Sequence, residues 1–199
     1  MDKLAIQEKH KYDLIWKTFS EYRENSPGES LTPIFFSYLD EQIKPGDTLI
    51  DFGCGPGRSA LTALQSQMKV HLVDISENCL DPEIFLLCVK KRIQFTQSCL
   101  WDLSSEIKSA RWITCFDVLE HIPETQVDAC LKGMADRMNE GGMFSIHLAE
   151  EQFGRVVGQK LHLTIKSAVW WKEKMERYFK IDNVFPTDAI TLVVTLRKR

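Results

Sequence analysis

The 199-residue chain lacks several features that would assign its class at once. No stretch approaches the roughly 18 apolar residues of a membrane span, so no membrane partner is expected. The segment Met1-Asp2-Lys3-Leu4-Ala5-Ile6-Gln7-Glu8-Lys9 has no long apolar stretch, so a secretory leader is not expected either. Basic runs are confined to Lys90-Lys91-Arg92 and Arg197-Lys198-Arg199, within a formal charge of −3. That balance argues against a broad electrostatic face for duplex DNA. The six cysteines (Cys54, Cys79, Cys88, Cys99, Cys115 and Cys130) include no C-x-x-C pair and no zinc-type spacing. They read as reduced thiols of a cytoplasmic protein. Repeats and low-complexity segments are missing too. What remains is 44% hydrophobic and 27% charged, the composition of one globular domain over residues 1–199.

The most informative stretch present is Leu49-Ile50-Asp51-Phe52-Gly53-Cys54-Gly55-Pro56-Gly57-Arg58. Thr48 to Phe52 reads as a short buried strand, the glycines as a tight turn, and Ser59 to Gln67 as a helix. A strand, a glycine turn and a helix bring bare backbone N–H groups up to a ligand. Val70-His71-Leu72-Val73-Asp74 is the next strand, and its terminal acid can accept both hydroxyls of a ribose. The pattern predicts an adenosine-type cofactor. The dinucleotide fingerprint is G-x-G-x-x-G; here Arg58 occupies its third glycine position, which weakens a nicotinamide or flavin reading.

The decapeptide resembles motif I of the class I S-adenosylmethionine (SAM) dependent methyltransferases, roughly (D/E)-x-G-x-G-x-G, with Asp51, Gly53, Gly55 and Gly57 matching position by position. Three further segments follow in the order the resemblance requires. Ser98-Cys99-Leu100-Trp101-Asp102 matches the loop that meets the adenine. Trp112 to Pro123 matches the fourth strand and the loop leaving it, and Met138 to Ile146 matches a helix end, glycine turn and fifth strand. The resemblance spans Thr48 to Leu148. It implies SAM as cofactor, held by Asp51, Gly53, Cys54, Gly55, Gly57, Asp74, Ile75, Leu100, Trp101, Asp102, Asp117 and Val118.

Along the chain, Lys3 to Tyr22 is expected as one helix and Ser30 as the cap of a second. Strands and helices then alternate: strand 48–52, helix 58–67, strand 69–73, helix 77–90, strands 92–97 and 111–116, helix 124–138, strand 142–148. A helix over 167–179 and two closing strands follow. Alternation of this kind predicts an α/β fold with a mostly parallel sheet. The resemblance makes it a Rossmann-like seven-stranded sheet in the order 3-2-1-4-5-7-6, with the last strand antiparallel and helices on both faces. Residues 1–43 are expected as a helical cap, and 149–180 as an insert and helix over the active site. Asp51, Asp74, Asp102 and Asp117 fall at or just past strand ends, where a cofactor would supply partners that buried acids require.

Two sets of residues are candidates for chemistry. His147, near Glu150 and Glu151, is a candidate base, with His121 and His162 beside it, since histidine suits that task near neutral pH. Asp117-Val118-Leu119-Glu120-His121 is similar to the E-x-x-E-H segment of metal-dependent small-RNA 3′-end and ubiquinone-pathway O-methyltransferases. With His162, this makes Asp117, Glu120, His121 and His162 candidate divalent-metal ligands; as loop polars they need no metal. Leu161 to Thr164, ahead of Trp170-Trp171, resembles small bacterial and phage-type methyltransferases. The tryptophans read as core and lid, or as a substrate platform. In the N-terminal helices, Tyr12, Trp16, Tyr22 and Arg23 can shape the acceptor pocket, and an Arg or Tyr there can meet a SAM carboxylate or an anionic acceptor.

The expected activity is methyl transfer to oxygen or nitrogen of a small-molecule acceptor, saccharides and nucleotides included. Two alternatives stay open: a metal-dependent RNA or nucleotide 2′-O-methyltransferase, and a catalytically silent SAM-binding partner of another chain.

Overall fold

The computed structural model describes residues 2–24, 26–151 and 153–199. A seven-stranded sheet runs in the order β3-β2-β1-β4-β5-β7-β6, with β1 Thr48–Phe52, β2 Lys69–Asp74, β3 Gln94–Gln97, β4 Ala110–Phe116, β5 Met138–His147, β6 Phe179–Phe185 and β7 Thr191–Lys198. The ladders from β3 through β5 are parallel. β7 alone is reversed, pairing antiparallel with β5 and β6. The expected class and strand order both hold.

Alternation along the strands divides the core in two. Ile50, Phe52, Val73 and Ile113 face one cluster with α6 (Glu124–Ala135) and α8 (Ala168–Met175). Leu49, Val70, Leu72 and Trp112 face the other, with α3 (Pro27–Leu39), α4 (Ser59–Gln65) and α5 (Pro82–Val89). Parallel strands buried on both faces need this double cover. No helix among the described residues is long and apolar enough to cross a membrane.

Several boundaries move from expectation. The first helix stops early: α1 covers Lys3–Thr18, capped by Asp2, whose Oδ1 accepts from Ala5 N at 2.8 Å, and Phe19 leaves it extended. The turn α2 (Glu21–Glu24) is separate. α3 starts at Pro27 rather than after Ser30, because proline at the first position has no N–H to leave unpaired. The helix expected over 77–90 splits at Pro82 into a 3₁₀ turn, Glu77–Cys79, and α5, for the same reason. Met138 to Gly142 is strand rather than helix end and glycine turn: Gly141 pairs with Trp112 and Gly142 with Ile113, so the ladder overrides the local turn preference. The short α7 (Phe153–Val157) lies in the expected insert.

Candidate active site

A cavity of about 640 Å³ opens at the carboxyl ends of β1, β2, β4 and β5. Ligands in open α/β sheets bind at this edge, where strand order reverses.

One wall is the glycine turn. Gly53 has φ +70°, and a Cβ there would meet Val118 Cγ2 at 2.4 Å. Only a bare backbone fits both the conformation and the neighbour. Gly55 N donates to Asp74 Oδ2 at 2.9 Å, and Ser76 N donates to Oδ1 at 2.9 Å, so the acid at the end of β2 is held by two amides. Asp51 is tied differently. Ser59 Oγ donates to its Oδ2, and Thr114 Oγ1, its register partner on β4, donates to Oδ1 at 2.7 Å. The scaffold thus already supplies the partners that the sequence assigned to a cofactor for Asp51. Burial pushes both carboxyls up, each to about 6, against their hydrogen bonds.

Of the SAM positions expected from sequence, Asp51, Gly53, Cys54, Gly55, Asp74, Ile75, Leu100, Trp101, Asp117 and Val118 line the cavity. Gly57 and Asp102 do not: Gly57 packs under Ile84 and Leu72, and Asp102 is exposed. Cys54, Asp74 and Cys79 lie close enough to share an ion. Burial pushes both thiols up, Cys79 to about 11.

The opposite wall carries histidines. His121 Nδ1 lies 3.1 Å from the Leu161 carbonyl, His147 Nδ1 3.1 Å from the Ala149 carbonyl, and His162 Nδ1 2.6 Å from the same Ala149 oxygen. A carbonyl only accepts, so the Nδ1 of His147 and of His162 donates to it. Tyr12 Oη, from α1, also meets His121 Nδ1 at 2.8 Å. The rings of His121 and His162 stand edge to face at 4.7 Å, and those of His147 and His162 lie 5.1 Å apart. Burial holds His121 down to about 3 and lowers His162 as well, so both are neutral at neutral pH.

Glu120 closes this wall. It is fully buried; His147 N donates to Oε1 at 2.9 Å, while Oε2 has no partner. Burial, then the nearby Asp117, pushes its carboxyl well above the ordinary range. Ligand atoms of Glu120, His121 and His162 all lie within 4.8 Å of one another, so three of the four candidate metal ligands converge. Asp117 is not among them; its Oδ1 accepts from Ser145 Oγ at 2.5 Å.

Sequence reasoning missed the direct partners of these groups. Ser59 and Thr114 are ordinary hydroxyls until the ladder sets them beside Asp51. The acids Glu8 and Glu21 and the aromatic Phe153 also line the cavity. Arg23, expected as an anion contact, is turned away: it donates to the carbonyls of Asn78, Cys79 and Leu80. Trp171 is fully buried in the core, and Trp170 lies under the Lys166 and Lys174 ammoniums; neither lines the cavity. The core reading holds for Trp171, while Trp170 is only partly buried and neither ring reaches the cavity as a lid or platform.

The family model for a methyltransferase domain matches residues 19–191, most of the chain. The chain belongs to this family. It is a methyltransferase of the class I, SAM-dependent type, as motif I implied. Magnesium protoporphyrin IX methyltransferase from Synechocystis PCC 6803, solved with bound S-adenosylhomocysteine (SAH), is similar in fold: TM-score 0.70, 16% identity, all of each chain covered. So is 1,6-didemethyltoxoflavin-N1-methyltransferase from Burkholderia thailandensis: TM-score 0.71, 18% identity, 100% of this chain and 91% of that one. Phosphoethanolamine N-methyltransferase 2 from Haemonchus contortus covers 78% of the methyltransferase and 38% of its own chain, with TM-score 0.62 and 20% identity. No curated protein sequence matches the chain.

Proposed function

We propose that this methyltransferase moves the methyl group of SAM to an oxygen or nitrogen of a small-molecule acceptor. One observation carries the reading: a single cavity joins the Gly53–Asp74 wall to the imidazoles of His121, His147 and His162. The cofactor fits the first wall on its chemistry. Asp74 has further lone pairs for ribose hydroxyls, the glycine turn leaves room, and Leu100 with Trp101 offers apolar faces to an adenine. Asp51 and Gly57 hold this wall from behind, and Asp102 would approach the ring amine from the loop edge. Asp117, with Val118, flanks the methionine end. Bound SAM supplies an electrophilic methyl on a sulfonium.

The chain's own residues do the rest. α1 and α2 cap the cavity from one side and Glu151, Phe153 and His162 close the other, so that Tyr12, Trp16, Phe153 and His162 exclude water. His147 takes the proton that the acceptor gives up, while His121 and His162, in which burial disfavours the imidazolium, line the pocket beside it. Holding the acceptor in line with the methyl supplies most of the rate. Two of the structural neighbours are named for transfer to nitrogen, which the chamber also accommodates.

A second reading is favoured by the convergence of Glu120, His121 and His162. The His162 imidazole donates Nδ1–H to a carbonyl, as metal-ligating histidines commonly do, and the orphaned Glu120 Oε2 lacks a cation. On this reading Glu120, His121 and His162 would hold a divalent ion, which would supply a charge for the oxygens of a nucleotide acceptor. Calorimetric titration with SAM, SAH and NAD⁺, with and without chelator, tests both. Micromolar binding of the sulfur ligands and none of NAD⁺ supports the first reading. Transfer that disappears with chelator and returns with one divalent ion selects the second. A folded sample that binds neither sulfur ligand overturns both.

A further inference from the structure

We infer that the acceptor is an amine, entering as a cation; the inference rests on the SAM-dependent reading above. The acceptor side of the cavity is lined by four carboxyl groups, from Glu8, Glu21, Glu120 and Glu151, and by the imidazoles of His121, His147 and His162. Among the described residues no lysine or arginine lines it. Two cations stand beside lining rings, Lys11 at Tyr12 and Arg23 at Trp16, and both are engaged. Lys11 pairs with Glu8, and Arg23 binds backbone carbonyls. A phosphate or carboxylate brought into this chamber would find no countercharge, and burying an unpaired anion is costly.

The chamber is therefore rich in hydrogen-bond acceptors, and one of them, Glu120 Oε2, is fully buried without a partner. The occupant that satisfies such a set is a donor, and an ammonium offers up to three N–H bonds. Aromatic faces complete the match. Trp16 and Tyr22 meet at 4.8 Å between ring centroids, and Tyr22 and Phe153 at 5.1 Å, all three lining the same side. A cation over aromatic faces, rimmed by carboxylates, is favoured over a neutral or anionic ligand. A metal on Glu120, His121 and His162 would account for those three groups and leave Glu21, Glu151 and the aromatic corner without a role.

The transfer step balances without a further reagent. The ammonium gives one proton to the His147 imidazole. The freed nitrogen lone pair then forms the N–C bond as the sulfonium S–C bond breaks, its electron pair staying on sulfur as a neutral thioether.

The test is calorimetric titration of the SAH-saturated, chelator-treated protein with matched probes: phenethylamine, 2-phenylethanol and 3-phenylpropanoate, with benzylamine, benzyl alcohol and phenylacetate as a second set. The expected result is that the amines bind at least about tenfold more tightly than their alcohol and carboxylate counterparts. Glu151→Gln, which keeps the acceptor that Gly154 N uses, and Glu21→Gln should each weaken amine binding about three- to tenfold and leave SAH affinity unchanged. Panels in which no amine binds above its counterparts overturn the inference. So does amine binding that appears only when Mn²⁺ or Zn²⁺ is restored. Failure of SAH itself to bind strikes the underlying reading instead, so the two failures are distinguishable.

Discussion

The amide of Gly55 donates to Asp74 Oδ2 at 2.9 Å, so the glycine turn after β1 and the acid at the end of β2 form one unit. A shift of either moves the other. Asp74→Asn replaces one acceptor with an amide N–H₂ group that either faces the Gly55 or Ser76 amide or turns toward the ribose. Loss of a hydrogen bond to a charged group is worth about 1.5–3 kcal/mol. SAH affinity is expected to fall at least about tenfold by calorimetry, with little change in circular dichroism. Retained affinity would remove Asp74 from the cofactor site.

Asp74 also sets a pH dependence. Burial pushes its carboxyl up to about 6. Below that point it is protonated and loses lone-pair acceptance, so SAH affinity should fall as pH drops, by about tenfold one unit below the midpoint. The apo-protein runs the other way. A carboxyl raised from 3.8 to about 6 stabilises most at low pH, and that contribution is lost as pH rises through about 6. His121, held down from 6.5 to about 3, gives the opposite slope over its own window. The difference between wild type and Asp74→Asn, measured by denaturant unfolding from pH 4 to 7.5, isolates the Asp74 part.

Gly57 lies off the cavity, and its substitution should act through stability. It has φ +80°, and a Cβ would come within 2.8 Å of Ile84 Cγ2 and 2.9 Å of Leu72 Cδ1. Backbone strain and overpacking together cost about 1–3 kcal/mol or more. Gly57→Ala is expected to lower the unfolding midpoint by several degrees in a thermal scan. An unchanged midpoint would mean the packing under the turn is looser than the geometry here.

Glu120→Gln keeps an oxygen for His147 N and replaces the orphaned oxygen with an amide nitrogen. It removes a buried ionisable group, so thermal stability should not fall. Methyl transfer should drop by about a hundredfold or more, with SAH affinity held within about twofold. Equal loss of transfer and SAH binding would place Glu120 in cofactor support instead.

The parallel sheet and the glycine turn were legible because each rests on local patterning, and the strand order because the motifs resemble a known family. Apolar strand runs, glycines at fixed spacing and acids at strand ends are short-range signals. Helix ends were less legible where two signals competed: Ser30 read as a cap until Pro27 took the first position, and Gly141-Gly142 read as a turn until the ladder with Trp112 and Ile113 enclosed it. Tyr12 was visible as an aromatic on a helix face, but its contact with His121 was not, since the two lie 109 residues apart.

By itself the sequence pointed to the family, the Rossmann-like architecture and the glycine turn, because motif I and the apolar run ending at Asp74 are short-range patterns. The tertiary structure alone decided which histidines act together. Leu163 N and Thr164 N both donate to the Glu120 carbonyl, at 2.8 and 2.9 Å, and this clasp brings His162 beside His121. It also decided that no lysine or arginine among the described residues lines the chamber: Arg23 is drawn to the carbonyls after β2, and Lys11 to Glu8. Side-chain direction depends on which partners lie within reach, and partners distant in sequence are set only when the sheet, cap and insert close around one space.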